Sequence, residues 1–263
     1  MTLTSPEKIV FEKEKIRKKD IAEFYAKVAP RLVPFLRDRP LSLVRCPSGV
    51  GESCFFRRNP ESGAGEYITV NDEGEILAEV QLNTIEFHIH GGKLDKTGDI
   101  GPPDMMVFDL DPGPGLSLAN IRQGVKDLRS ILDELNLPAF LKTSGGVGYH
   151  VVVPLNGEIS QWDDCKGFSE KVAKLMEAKW PARYTTNIRK DARAGKIFVD
   201  WLRNSSGATS VAPYSLRAKE GVSVSIPIAW EELSKVAPNS VTIKNIDKYL
   251  AKDDPWAKWK LVC

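Results

Sequence analysis

The sequence lacks any apolar run near the ~20 residues that a membrane span requires. Its opening, MTLTSPEKIVFEKEK, turns charged too early for the apolar stretch of a secretory signal. Cysteine is scarce. Cys46, Cys54, Cys165 and Cys263 are scattered, with no CxxC pair and no adjacent histidines, which argues against a structural zinc site. Reduced thiols in a cytoplasmic protein without a membrane partner are the expectation. Internal repeats and low-complexity segments are absent. Net charge is small as well, at +2.

What is present is more informative. The 263 residues, 42% hydrophobic and 27% charged, are enough for one large globular domain or two small ones. Charge is unevenly spread: residues 1–60 hold 13 Lys/Arg against 7 Asp/Glu, a surplus of six that leaves the rest of the chain at −4. A basic surface of this kind attracts phosphate backbones. A solvated helix face of mixed charge, such as EKEKIRKKD, fits the same numbers.

Between Lys19 and Leu36, apolar Ile21, Phe24, Tyr25, Val28, Leu32 and Phe35 recur at helical spacing, and Asp20 suits the helix N-terminus. Pro30 and Pro34 are expected to break this stretch into a helix and a shorter turn. Segments 41–46 and 54–57 read as strands around a Pro-Ser-Gly turn. Residues 66–70, 75–82 and 84–90 read as further strands, with Asn71-Asp72-Glu73-Gly74 as a hairpin connection. Strands are also expected at Met105–Phe108, Val151–Val153 and 197–201, with amphipathic helices over 117–136 and 161–178 and a helical and loop mixture beyond 228. This order indicates an α+β fold with a largely antiparallel central sheet.

The chemistry concentrates in three places. In Asp109-Leu110-Asp111, residues i and i+2 of a strand project from one face, so two carboxylates converge. Their repulsion is relieved by a divalent cation, and hard oxygen donors suit Mg²⁺ or Mn²⁺. A surface DxD at a turn is equally compatible with this motif. Asp200 lies inside the apolar run Ile197-Phe198-Val199-Asp200-Trp201, where a carboxylate is costly unless paired or metal-bound. Its partner is a metal, or else Arg203 or Arg193. The third place is Lys142-Thr143-Ser144-Gly145-Gly146-Val147-Gly148-Tyr149-His150. Here glycines let backbone N–H groups approach an anion, and Lys142, Ser144 and His150 add donors. A plain hairpin turn is the competing reading. Arg203 can clamp phosphates with its planar fork or pair with Asp200. His88 and His90 alternate onto one strand face.

Taken together, VAPRLVPFLRDRPLSLVRCPSG, FF, IEFH, VFDLDPG, LKTSGGVGYHVVVPL and FVDWLRNSSGATSVAPYSLRAKEGVSVSIPIAWEEL resemble the polymerase domain of bacterial ligase D and its stand-alone relatives. These are end-joining members of the archaeo-eukaryotic primase superfamily. The resemblance implies a primase-like catalytic fold forming a single domain over 1–263. Residues 1–60 would be its basic part for 5′-phosphate and template contacts, and 84–230 its catalytic core. It implies that Asp109, Asp111 and Asp200 bind two divalent ions, and that Ser144, His150 and Arg203 contact the incoming triphosphate. His88 matches the histidine of the strand before the acidic pair. Phe55 and Phe56 match aromatic residues that pack against the template, and Lys8 and Lys18 match holders of a 5′-phosphate. The resemblance further implies addition of nucleotides, preferentially ribonucleotides, to a 3′-OH at DNA breaks and gaps during non-homologous end joining. Mn²⁺ or Mg²⁺, NTP or dNTP, DNA ends with a 3′ overhang or gap, Ku and a separate ligase would be its partners, near the nucleoid.

The chain departs from the family's pattern at Val147, where a lysine is usual, and at Arg57-Arg58-Asn59, where a histidine is expected. The stretch between His88 and Asp109 is also altered, and there is no Lys-x-Asp-Gly ligase motif. Three other readings compete. An aspartyl phosphatase would need a Thr or Ser shortly after the DxD, which is missing. A non-catalytic end-bridging module would not need all three acids. A replicative-type primase would have no use for lysines that hold a 5′-phosphate.

Overall fold

The computed structural model describes residues 2–60 and 66–261. The first elements are β1 (Ile9–Phe11), β2 (Ile16–Arg17), α1 (Lys18–Leu36), β3 (Leu41–Arg45), β4 (Phe55–Arg57), α2 (Glu73–Gln81), β5 (Thr84–His90), β6 (Gly92–Leu94) and β7 (Ile100–Pro103). They are followed by β8 (Met105–Pro112), α3 (Leu118–Glu134), β9 (Phe140–Thr143), β10 (Tyr149–Pro154), α4 (Trp162–Lys179), β11 (Tyr184–Thr185), β12 (Ile197–Asp200), β13 (Thr209–Val211), β14 (Pro227–Ile228) and α5 (Asp247–Leu250). Two compact units share the chain, each assembled from discontinuous segments.

The first unit comprises Met1–Gly101, Thr209–Ile226 and Asn239–Lys252. Its sheet runs β13-β5-β3-β4, antiparallel throughout. Helix α1 buries the expected apolar stripe, Ile21, Phe24, Tyr25, Val28, Leu32 and Phe35. The Tyr25 hydroxyl donates to the Ile85 carbonyl at 2.6 Å and accepts from the Leu216 N–H at 3.1 Å, so the helix is bonded to β5 and to the segment after β13.

Contrary to the sequence expectation, α1 continues through Pro30 and Pro34. Pro30 is exposed and Pro34 half-buried. The carbonyls of Ala26 and Pro30, which each proline deprives of a donor, therefore lie on the side of the helix away from its buried stripe. The segment read as a strand over 75–82 is also different, since it lies in α2. Asp72 is its N-cap: the side chain accepts from the Glu75 N–H at 2.9 Å, while Glu75 accepts from the Asn71 N–H at 2.6 Å. That N-cap bond, with Ile76 and Val80 buried four residues apart, favours a helix over a strand. Residues 66–70 form only an isolated bridge, Leu41 to Ile68. The thiol expectation also needs correction. Cys46 and Cys54 form a disulfide, because pairing of β3 with β4 brings them face to face. Cys165 remains a buried thiol whose titration burial pushes up to about 12, and Cys263 lies outside the described residues.

The second unit comprises Pro102–Ala208, Pro227–Pro238 and Asp253–Cys263. Its six-stranded sheet has the order β11-β12-β8-β10-β9-β14, antiparallel except for the β11–β12 pair. Strands β8 and β10 are apolar along most of their length because they are central. Helix α3 starts at Ser117, whose hydroxyl accepts from the Asn120 N–H, and buries Ile121, Val125, Leu128, Ile131 and Leu132. Helix α4 buries Val172, Ala173 and Met176. The expected α+β class with a mainly antiparallel sheet is borne out.

Candidate active site

Strand register builds the site. His150 on β10 pairs with Lys142 on β9 and with Asp109 on β8, while Asp109 pairs in turn with Asp200 on β12. Directly opposed residues of antiparallel strands share a face. Lys142, His150, Asp109 and Asp200 therefore form one polar row across four strands, and Asp111, two residues beyond Asp109, lies on the same face. Carboxylate oxygens of Asp109, Asp111 and Asp200 all lie within 4.8 Å of one another.

Such crowding is electrostatically unfavourable. Burial, reinforced by the charges of Asp111 and Asp200, raises the Asp109 carboxyl to about 7, although Arg203 pulls the other way. Burial raises Asp200 too, against the attraction of Arg203. The Arg203 Nε lies 3.1 Å from Asp200 Oδ2 and 3.5 Å from Asp109 Oδ2, and His150 Nε2 lies 3.6 Å from the same Asp109 oxygen. Arg193 reaches Asp111 at 3.9 Å from a position over the Phe198 ring. Three hard oxygen donors on paired strands, with ionisation of Asp109 and Asp200 opposed by burial, are a chemically suitable seat for divalent cations.

The glycine turn closes on itself. The Ser144 hydroxyl donates to the Gly148 carbonyl at 2.8 Å and accepts the Gly146 and Gly148 N–H groups at 3.1 and 3.3 Å. Val147 stands at the tip, 67% exposed. Gly148 is there for close approach: a Cβ would sit 2.7 Å from the Leu110 carbonyl, on the strand between the two aspartates. Gly113, just past β8, is tighter still against the Arg193 backbone.

The remaining predicted residues lie in the first unit. His88 Nε2 bonds Glu86 Oε2 at 2.7 Å, and Arg217 Nε lies 3.0 Å from the same oxygen. Burial opposes ionisation of Glu86. The His88 hydrogen bond and the Arg217 and His88 charges outweigh it and hold the carboxyl at about 2. His90 is buried, its Nδ1 accepting from the Gly92 N–H at 3.1 Å. Phe56 meets the His88 ring edge to face at 5.5 Å. Phe55 and Phe56 are 46% and 62% exposed, an unusual state for adjacent phenylalanines. Lys18 is buried at the start of α1 and donates to the Gln81 carbonyl at 2.7 Å. Burial and the neighbouring Lys8 charge both lower its pKa.

The sequence matches the family "LigD, primase-polymerase domain" from residue 17 to residue 256. This chain belongs to the LigD primase-polymerase family. Among its relatives, the multifunctional non-homologous end joining protein LigD of Pseudomonas aeruginosa is 35% identical over 98% of this chain, and that of Mycolicibacterium smegmatis 30% over 88%. The chain spans 32% of the length of each, about a third. The solved polymerase domain of Mycobacterium tuberculosis ligase D, in complex with DNA, superposes with a TM-score of 0.91 at 29% identity, covering 98% of this chain and 97% of that one.

Within this LigD primase-polymerase domain, the turn that carries Arg203 is anchored by a residue with no clear signal in the sequence. Buried Asn204 accepts from the Val107 N–H at 2.7 Å and donates to the Val107 carbonyl at 2.9 Å, tying the turn after β12 to β8. The only signal in the sequence was an Asn in a WLRN segment, which propensity alone reads as a loop residue. Arg193, which the sequence offers as a partner for Asp200, lies instead over Phe198 and near Asp111. Among the described residues, no helix is long and apolar enough to cross a membrane.

Proposed function

We propose that this LigD primase-polymerase domain is a repair polymerase of non-homologous end joining, adding nucleotides to a 3′-hydroxyl at a DNA break or short gap before the break is ligated. The observation that carries the reading is the cluster of Asp109, Asp111 and Asp200, flanked by His150 and Arg203, in a chain of this family. Asp109, Asp111 and Asp200 would hold two divalent ions, Mn²⁺ or Mg²⁺. When bound, such ions lower the pKa of the attacking hydroxyl and neutralise charge on the leaving pyrophosphate.

The chain's own groups do the rest. Asp109 and Asp200 must release their protons for the site to form. Arg203 and His150 offer donors to triphosphate oxygens beside the carboxylates, and Lys142 adds positive charge to the same row. Ser144 keeps the glycine turn closed so that it can face phosphate. Phe55 and Phe56 offer exposed rings for stacking on template bases, and Lys8 with Lys18 takes the downstream 5′-phosphate. The two units act as one catalytic domain over residues 1–263, with 1–60 serving DNA and 84–230 the chemistry. Ribonucleotides are the preferred substrates, Ku presents the DNA end, and the protein works in the cytoplasm at the nucleoid.

The test is extension of a labelled primer across a short gap, with NTPs or dNTPs, Mn²⁺ or Mg²⁺, and with or without a downstream 5′-phosphate. Addition that favours NTPs and improves with the phosphate supports the reading. Absence of addition in every combination, with DNA binding intact, refutes it in favour of a bridging role.

A further inference from the structure

The first unit contains a feature that nucleotide addition does not use. Strands β3 and β4 pair as Leu43 with Arg57, Val44 with Phe56 and Arg45 with Phe55. One step further along this register Cys46 faces Cys54, their Cα atoms 4.3 Å apart, and the two are joined as a disulfide. Cys46 is wholly buried and Cys54 exposed. The loop closed by this bond, residues 47–53, touches both groups assigned to DNA. The Lys8 ammonium donates to the Pro47 carbonyl, and the Val50 N–H donates to the Val10 carbonyl at 2.7 Å, which ties the loop to the strand that follows Lys8. Phe55 and Phe56 leave the loop immediately after Cys54.

We propose that Cys46 and Cys54 are a reversible dithiol–disulfide pair whose oxidation tightens the grip of this unit on gapped, 5′-phosphorylated DNA. The inference rests on the DNA-repair reading above. A disulfide in a reducing compartment is characteristically transient or redox-sensing, not a permanent staple. One exposed and one buried sulfur give the order of events. The Cys54 thiol loses its proton, and the thiolate attacks a low-molecular-weight disulfide such as oxidised glutathione, releasing one thiolate. The Cys46 thiolate then attacks the Cys54 sulfur and releases the second. Two electrons pass from the protein pair to the oxidant, and the two cysteine protons end on its two thiols. Reduction reverses these steps and starts at the accessible Cys54 sulfur.

The physical consequence follows from loop entropy. With the bond closed, the 47–53 loop, the Lys8 contact and the base of β4 are ordered before DNA arrives. With it open, that ordering is charged against binding. Reduction should therefore weaken binding about five- to tenfold, the scale expected from freezing a few loop residues.

The experiment equilibrates the whole chain in glutathione buffers of graded GSH/GSSG ratio. The state of each cysteine is mapped by alkylation and mass spectrometry. Affinity for a fluorescent gapped duplex carrying a 5′-phosphate is measured by anisotropy. The expected result is a Cys46–Cys54 disulfide that forms as GSSG rises, with affinity following it, and a Cys54→Ser protein that binds like reduced wild type at every ratio. Wild type serves as its own control, so a poorly folding variant does not decide the outcome. Thiols free at every ratio would overturn the proposal, as would a disulfide that forms without changing affinity. DNA binding in neither state, with the disulfide still forming as GSSG rises, would instead defeat the DNA-repair reading on which it rests.

Discussion

Replacing Asp109 by Asn should make the metal-free protein more stable while abolishing nucleotide addition. Asp109 is buried beside Asp111 and Asp200, and its carboxyl titrates at about 7 in the fold. In the unfolded chain it titrates near ~4. A carboxylate whose pKa is raised by folding binds its proton more tightly in the native state. Its contribution to stability is therefore complete below pH ~4 and lost as pH rises through about 7. Three pKa units correspond to about 4 kcal/mol, and dielectric relaxation in a site at the end of a sheet reduces this to roughly 2 kcal/mol. For a chain of this size that is a Tm increase of about 4–8 °C for Asp109→Asn in EDTA at pH 8.

The assay is thermal unfolding in EDTA at pH 6, 7 and 8, repeated with millimolar Mn²⁺. Wild type should gain stability relative to Asp109→Asn as pH falls from 8 to 6. Metal should stabilise wild type in proportion to the logarithm of its concentration over Kd, and the variant far less. An Asp109→Asn protein that melts at or below wild type in EDTA at pH 8, or a gap between the two that ignores pH, would refute the electrostatic argument for the metal site.

Asp200→Ala should remove nucleotide addition while DNA affinity stays within about twofold, since surface phosphate contacts rather than the acids dominate binding; retained extension activity would remove Asp200 from the metal set. Asn204→Ala leaves the Val107 N–H and carbonyl buried without their partner, so it should cost about 2–3 kcal/mol in denaturant unfolding and raise KM for nucleotide through a loosened Arg203; an unchanged midpoint and KM would contradict that role. Gly148→Ala puts a methyl 2.7 Å from the Leu110 carbonyl, and should raise nucleotide KM about tenfold with little change in DNA affinity. Lys18→Ala should weaken binding about tenfold on DNA with a downstream 5′-phosphate and hardly at all without it; equal losses on both substrates would reassign Lys18 to packing.

Much of the fold was readable where pattern and burial agree. The α1 stripe and the strands leading to Asp109 and Asp200 are periodic or continuously apolar because central strands and packed helices demand it. The structure departs from the local pattern where a local signal is outweighed by its surroundings. Pro30 and Pro34 ordinarily end helices, but here they fall outside the buried stripe, and its packing carries the helix through. The 75–82 segment is helical instead of extended because Asp72, placed by the sequence pattern in a hairpin connection, caps the first turn of α2. Disulfide pairing of Cys46 with Cys54 was not legible from cysteine spacing, because it depends on strand register, and register is a long-range property.

The same distinction explains how much of the site could be seen. The two acids of the DxD motif are neighbours in sequence, so the period of a strand is enough to bring them together. Asp200 lies 91 residues beyond Asp109, and His150 lies 41 beyond it. What joins them is antiparallel pairing on either side of β8, which places Lys142, His150, Asp109 and Asp200 in a single row. That row explains why an acid was tolerated in the apolar IFVDW run. Asp200 occupies the one position of β12 that faces Asp109. A substitution that kept the charge but moved it by one residue would turn it to the opposite face of the sheet. An Asp200→Val, Val199→Asp double variant should therefore fail in metal binding as completely as Asp200→Ala, despite an unchanged composition. Its stability should fall further, because the carboxylate is then buried without Arg203.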